Sequence, residues 1–71
     1  MFNVSQVKFE NGKAVLRAGR KIVAKIYDRA VFYRVNNIKS GFSHPYSFEI
    51  AAGHRECDSI EECIEYINKY L

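Results

Sequence analysis

A chain of 71 residues with 11 Lys and Arg against 8 Asp and Glu carries a formal charge of +3; 48% of its residues are apolar and 27% charged. These values exclude a disordered tail, and the length leaves one domain, residues 1–71, whose core is so small that few side chains can be spared for function. No apolar run approaches the roughly 18 residues of a membrane span, and "MFNVSQVKFE" has neither a basic leader nor a hydrophobic stretch, so a soluble cytoplasmic protein without a membrane partner is expected.

The first element expected is a hairpin about Asn11-Gly12, because both residues tolerate the positive φ of a type I′ turn. That turn sets Glu10 opposite Lys13, Phe9 opposite Ala14, Lys8 opposite Val15, Val7 opposite Leu16 and Gln6 opposite Arg17. Val7, Phe9, Ala14 and Leu16 then share one face, and Lys8, Glu10, Lys13, Val15 and Arg17 the other. A strand over Lys21–Asp28 follows the bend at Gly19-Arg20. A strict two-residue loop at that bend would mismatch the faces, so a longer loop or a bulge is expected. A further strand over Ala30–Asn36, entered through a loop at Asp28-Arg29, would set Lys25 beside Phe32 and Val23 beside Arg34.

Asn36 to Pro45 is rich in loop formers and holds the only proline. Tyr46, Phe48 and Ile50 alternate with Ser47 and Glu49 as a strand, Ala51-Ala52-Gly53 turns the chain, and His54–Cys57 forms a short last strand. Ser59 and Glu62 fit a capping box, and Ile60, Cys63, Ile64, Ile67 and Leu71 fall on one helical stripe. The expected fold is therefore α+β: an antiparallel β-meander of four to six short strands, with one C-terminal helix packed on one face and the other face open.

Charge is unevenly spread along these elements. From Lys13 to Lys39 there are eight basic residues and one acid, Asp28, whereas six acids outnumber Arg55 and Lys69 from Gly41 onward. Lys8, Lys13, Arg17, Lys21, Lys25 and Arg34, with Tyr27 and Phe32, combine cations for phosphates with rings on which bases stack. These eight residues are the candidate binding surface, and nucleic acid is the expected partner. The alternative is docking on an acidic or nucleic-acid-mimicking protein surface, as a small inhibitor or adaptor, phage-type ones included. Long basic side chains also cover apolar sheet surface and keep strand edges from aggregating, with no ligand at all.

Chemistry beyond binding has little support. His44, His54, Cys57 and Cys63 are zinc-ligand types, but their spacing lacks the paired short motifs of structural sites, and Cys63 lies on the apolar stripe. Neither a metal nor any other cofactor is expected. His54 with Cys57 is the one pair that could support thiol chemistry. No phosphate loop, nucleophile elbow or His-Glu metal motif is present, and a non-catalytic protein is expected. In outline, a meander followed by one C-terminal helix resembles several DNA-binding and phage-encoded modules, with "SIEECIEYI" where many of them start the helix after the last strand. The resemblance carries no binding residues, and the RRM consensus and its βαββαβ order are absent.

Overall fold

The computed structural model describes residues 1–71. Four strands, β1 (Lys13–Ala18), β2 (Lys21–Asp28), β3 (Tyr46–Ile50) and β4 (Gly53–Cys57), form one antiparallel meander in the order β1-β2-β3-β4. Two helices accompany them, α1 (Arg29–Val35) between β2 and β3 and α2 (Ile60–Tyr70) at the C-terminal end. The fold class is the expected one, with the helix α1 as an addition.

Alternation divides the sheet into two faces. Ala14, Leu16, Ala24, Ile26, Phe48, Ile50 and Cys57 point to one side, where Cys63, Ile64 and Ile67 of α2 close the core. Ser59 caps α2 by accepting the Glu62 N–H at 3.1 Å, and Glu61 and Glu62 in the first turn complement the helix dipole. Leu71, expected on the buried stripe, lies past the end of α2 and is 57% exposed.

Of the two alternatives at the Gly19-Arg20 bend, a longer loop or a bulge, the chain takes the bulge. Leu16 pairs with Ala24 but Arg17 with Ile22, which leaves Val23 as the extra residue and keeps Leu16 and Ala24 together on the core face.

Two expected strands are absent, and both for reasons of packing. The Asn11-Gly12 turn forms with φ of 54° and 81°, yet only the Glu10–Lys13 pair follows it. Residues 6–9 then leave the sheet. A helix about 10 Å across shades only two or three strands spaced about 4.8 Å, and α2 already lies over β3 and β4. The N-terminal segment acts as further cover instead: Phe2, Val7 and Phe9 pack against the core. Asn68 of α2 pins it, donating to the Phe2 carbonyl at 2.8 Å and accepting the Phe2 N–H at 2.9 Å.

Residues 29–35 are helical, which corrects the strand expected at Ala30–Asn36. Its C-terminal end is closed locally. Asn37 adopts φ 57°, the Ile38 N–H reaches the Tyr33 carbonyl at 2.8 Å, and the Asn37 N–H reaches that of Arg34 at 3.3 Å. This is the paired bonding of a Schellman cap, and "NNI" after an apolar run is its sequence signal. One turn apart in α1, Arg29 Nη2 donates to Tyr33 Oη at 2.9 Å.

Candidate nucleic-acid interface

The face opposite α2 is not fully open. Across it run two rows, Lys13–Tyr27–Ser47–Glu56 and Val15–Lys25–Glu49–His54. α1 sits on the first row. Its Phe32 ring meets Tyr27 edge-on at 5.0 Å, and Arg29 Nη1 lies 2.8 Å from Glu56 Oε1, a charge contact outside hydrogen-bond geometry. The Arg29 guanidinium also lies 5.5 Å from the ring centres of both Tyr33 and Phe42, so the Asn36–Pro45 loop is tied to the same cluster. Burial, and secondarily the Glu49 carboxylate, pushes the Tyr27 hydroxyl above its ordinary pKa.

These contacts redistribute the residues singled out from the sequence. The pairs Lys25 with Phe32 and Val23 with Arg34 do not form, because Phe32 and Arg34 are on α1; Lys25 instead lies between Val15 and Glu49. Lys8 and Lys13 come together beside the Asn11-Gly12 turn, with Glu10. Arg34 is exposed in the last turn of α1. Tyr27 and Phe32 are half-buried and meet edge-on, which occupies part of the ring surface that stacking needs. Arg17 and Lys21 flank the β1–β2 turn, both exposed, and Arg20 joins them from within the turn. Arg20 was not among the candidate residues, although its place beside Gly19 is a sequence signal for a turn tip.

Acids interrupt the positive surface on the β3–β4 side, where Glu49 and Glu56 lie on this face. On the β1–β2 side, residues 13–27 hold Lys13, Arg17, Arg20, Lys21 and Lys25 and no acid of their own; Glu10 pairs with Lys13 and Glu49 lies opposite Lys25, so the cations without an acidic neighbour in the sheet are Arg17, Arg20 and Lys21. Comparison with family models, curated proteins and solved structures finds no match for the chain.

The thiol and metal candidates are dispersed by the fold. His54 and Cys57 are three apart on β4 and so face opposite ways; Cys57 is 1% exposed in the core, while His54 lies opposite Glu49 on the other face. The proposed dyad is not assembled. Cys57 and Cys63 adjoin each other in the core as free thiols, and burial pushes both above the ordinary thiol pKa, which makes them poor nucleophiles. His44 Nδ1 lies 2.6 Å from Asp58 Oδ1 at the surface. No three His, Cys, Asp or Glu side chains converge as metal ligands. No helix is long and apolar enough to cross a membrane.

Proposed function

We propose that the chain is a non-catalytic binding module that takes nucleic acid on its β1–β2 hairpin. The observation that carries this reading is the charge of residues 13–27, five cations without an acid, folded into one antiparallel pair. Strand pairing holds their Cα positions at fixed spacings. Such cations meet phosphates in a set register, and the release of condensed counterions drives association. Tyr27 and Phe32 enter as the packing that holds α1 over one end of the sheet, and Lys8 and Arg34 as outlying positive charge.

One observation favours a protein partner with an acidic and apolar surface. Exposed Ile22 and Leu71 line a shallow hollow together with Lys21, Lys25 and Glu49, an arrangement that suits an apolar side chain with a carboxylate directed to the lysines and away from Glu49.

A salt titration of fluorescent oligonucleotides separates the two. For nucleic acid, log K falls linearly with log salt, and Lys25→Ala flattens that slope by about one unit. For a protein partner, capture from lysate is unchanged by nuclease, and rim charges act chiefly on the association rate. Absence of oligonucleotide binding at about 50 mM salt, where non-specific cationic contacts already register, overturns the nucleic-acid reading and leaves protein docking.

A further inference from the structure

β3 pairs with β2 only from Ala24 to Asp28. Lys21, Ile22 and Val23, together with Arg17 and Ala18 on β1 and the closing Gly19-Arg20 turn, therefore stand beyond the rest of the sheet as a two-stranded ribbon. Three residues at about 3.3 Å each make this projection roughly 10 Å long. Arg17, Arg20, Lys21 and Ile22 are all exposed on it.

The ribbon carries charge and no aromatic ring. Tyr27 and Phe32 engage each other at the opposite end of β2, Tyr33 engages Phe42, and Tyr66 stacks with Phe48 and Tyr70. Proteins that hold single strands interleave cations with free ring faces, and this surface has the cations alone. A projecting two-stranded ribbon is instead the shape that the major groove of B-form DNA admits, since the groove is about 12 Å wide and paired strands lie about 4.8 Å apart.

Resting on the reading above, we infer that the ligand is double-stranded DNA and that the ribbon Arg17–Val23 enters its major groove. Arg20 at the tip presents the planar fork that pairs with guanine O6 and N7, and Ile22 presents an apolar contact for a thymine methyl. Arg17 and Lys21, at the ribbon's sides, reach the phosphates that wall the groove. The deep, narrow major groove of A-form RNA does not accept the same element.

The test compares the intact chain's affinity, by fluorescence anisotropy at one salt concentration, for a duplex DNA, its separate strands and a duplex RNA of the same sequence. Duplex DNA is expected to bind at least about tenfold tighter than either alternative. The triple variant Arg17→Ala, Arg20→Ala, Lys21→Ala is expected to lose that preference and about two units of salt slope, one for each of the phosphate contacts of Arg17 and Lys21, with its melting temperature unchanged because all three side chains are exposed. Phe32→Leu is expected to keep the preference. Equal or tighter binding to single strands or duplex RNA overturns the inference and leaves the nucleic-acid reading standing, as does a triple variant that still prefers duplex DNA. Failure to bind any of the three overturns both.

Discussion

Gly12 is the residue on which two elements depend. Its φ of 81° belongs to the left-handed region, and a Cβ built there would lie 2.4 Å from the backbone nitrogen of Phe32 in α1. Its carbonyl accepts the Asp28 N–H at 2.8 Å, so the turn and the start of α1 are fastened at one point. Gly12→Ala therefore meets the left-handed penalty of about 1–2 kcal/mol and also a clash that only movement of α1 relieves. Gly19, at φ 64°, has open space around it and incurs the first cost alone. Urea denaturation of the two variants is expected to give Gly12→Ala the clearly larger loss, about 3 kcal/mol or more against about 1. Equal losses would mean that α1 does not press on the turn.

Two surface ion pairs at this same end set a pH dependence. The Asp58 carboxylate, through its hydrogen bond and then its charge, holds His44 above its ordinary value of 6.5, with Glu56 and Glu62 adding smaller effects. The Arg29 guanidinium holds Glu56 below its ordinary 4.5. The histidine's contribution is complete below 6.5 and is lost as pH rises through its raised folded value; the glutamate's is complete above 4.5 and is lost as pH falls through its lowered one. Both are in force between 4.5 and 6.5. Asp58→Asn is expected to return the His44 titration, followed by NMR, towards 6.5 and to remove the part of the stability decline above that pH that His44 causes.

At the scale of the element, helix α2 was legible from its cap and its stripe, because an amphipathic period and a Ser at the N-cap are properties of adjacent residues. Cys63, Ile64 and Ile67 are buried as the spacing requires. Ile64→Asp places an unpaired carboxylate against the sheet and is expected to cost about 4 kcal/mol or more, close to the whole stability of a domain this size. Loss of the cooperative thermal transition is the expected result; a wild-type melt would mean that α2 does not close the core. Helix α1 was misread because its residues, Val31, Phe32, Tyr33 and Val35 among them, have strand-like side chains and alternate well enough to suit a fourth strand. The contacts that hold it helical come from elsewhere: the Pro45 carbonyl accepting the Arg29 N–H at 2.9 Å, Glu56 from β4, Phe42 from the loop and Tyr27 from β2. Local propensity is weak against four such partners.

Across the whole molecule, the two sheet faces have different jobs. One carries the entire core, and the other carries α1 at one end, while Arg17, Arg20 and Lys21 stand exposed about the β1–β2 turn at the other. His44, His54 and the buried cysteine pair are spread over the surface, the opposite face and the core, and so form no common site through which a metal would couple to folding. A chelator is accordingly expected to leave the thermal transition where it is, and elemental analysis to find less than one zinc per chain. A chelator-dependent melt would show that these side chains converge after all.

The amino-acid sequence by itself determined the meander, the tight turn at Asn11-Gly12, a bend at Gly19-Arg20 with an irregularity beside it, and the C-terminal helix, since each follows from periodicity or turn chemistry within a few residues. It also determined that positive charge gathers before Asp28 and negative charge after Gly41. Only the tertiary structure decided which of those charges meet. The fate of residues 6–9 depended on how many strands one helix can cover, and that of residues 29–35 on partners 16 and 27 positions beyond Arg29, Pro45 and Glu56. For the same reason the candidate surface moved: with α1 seated on Tyr27 and Glu49 and Glu56 lying across the far strands, the uninterrupted cations are those of the ribbon, where β2 outruns its partner β3.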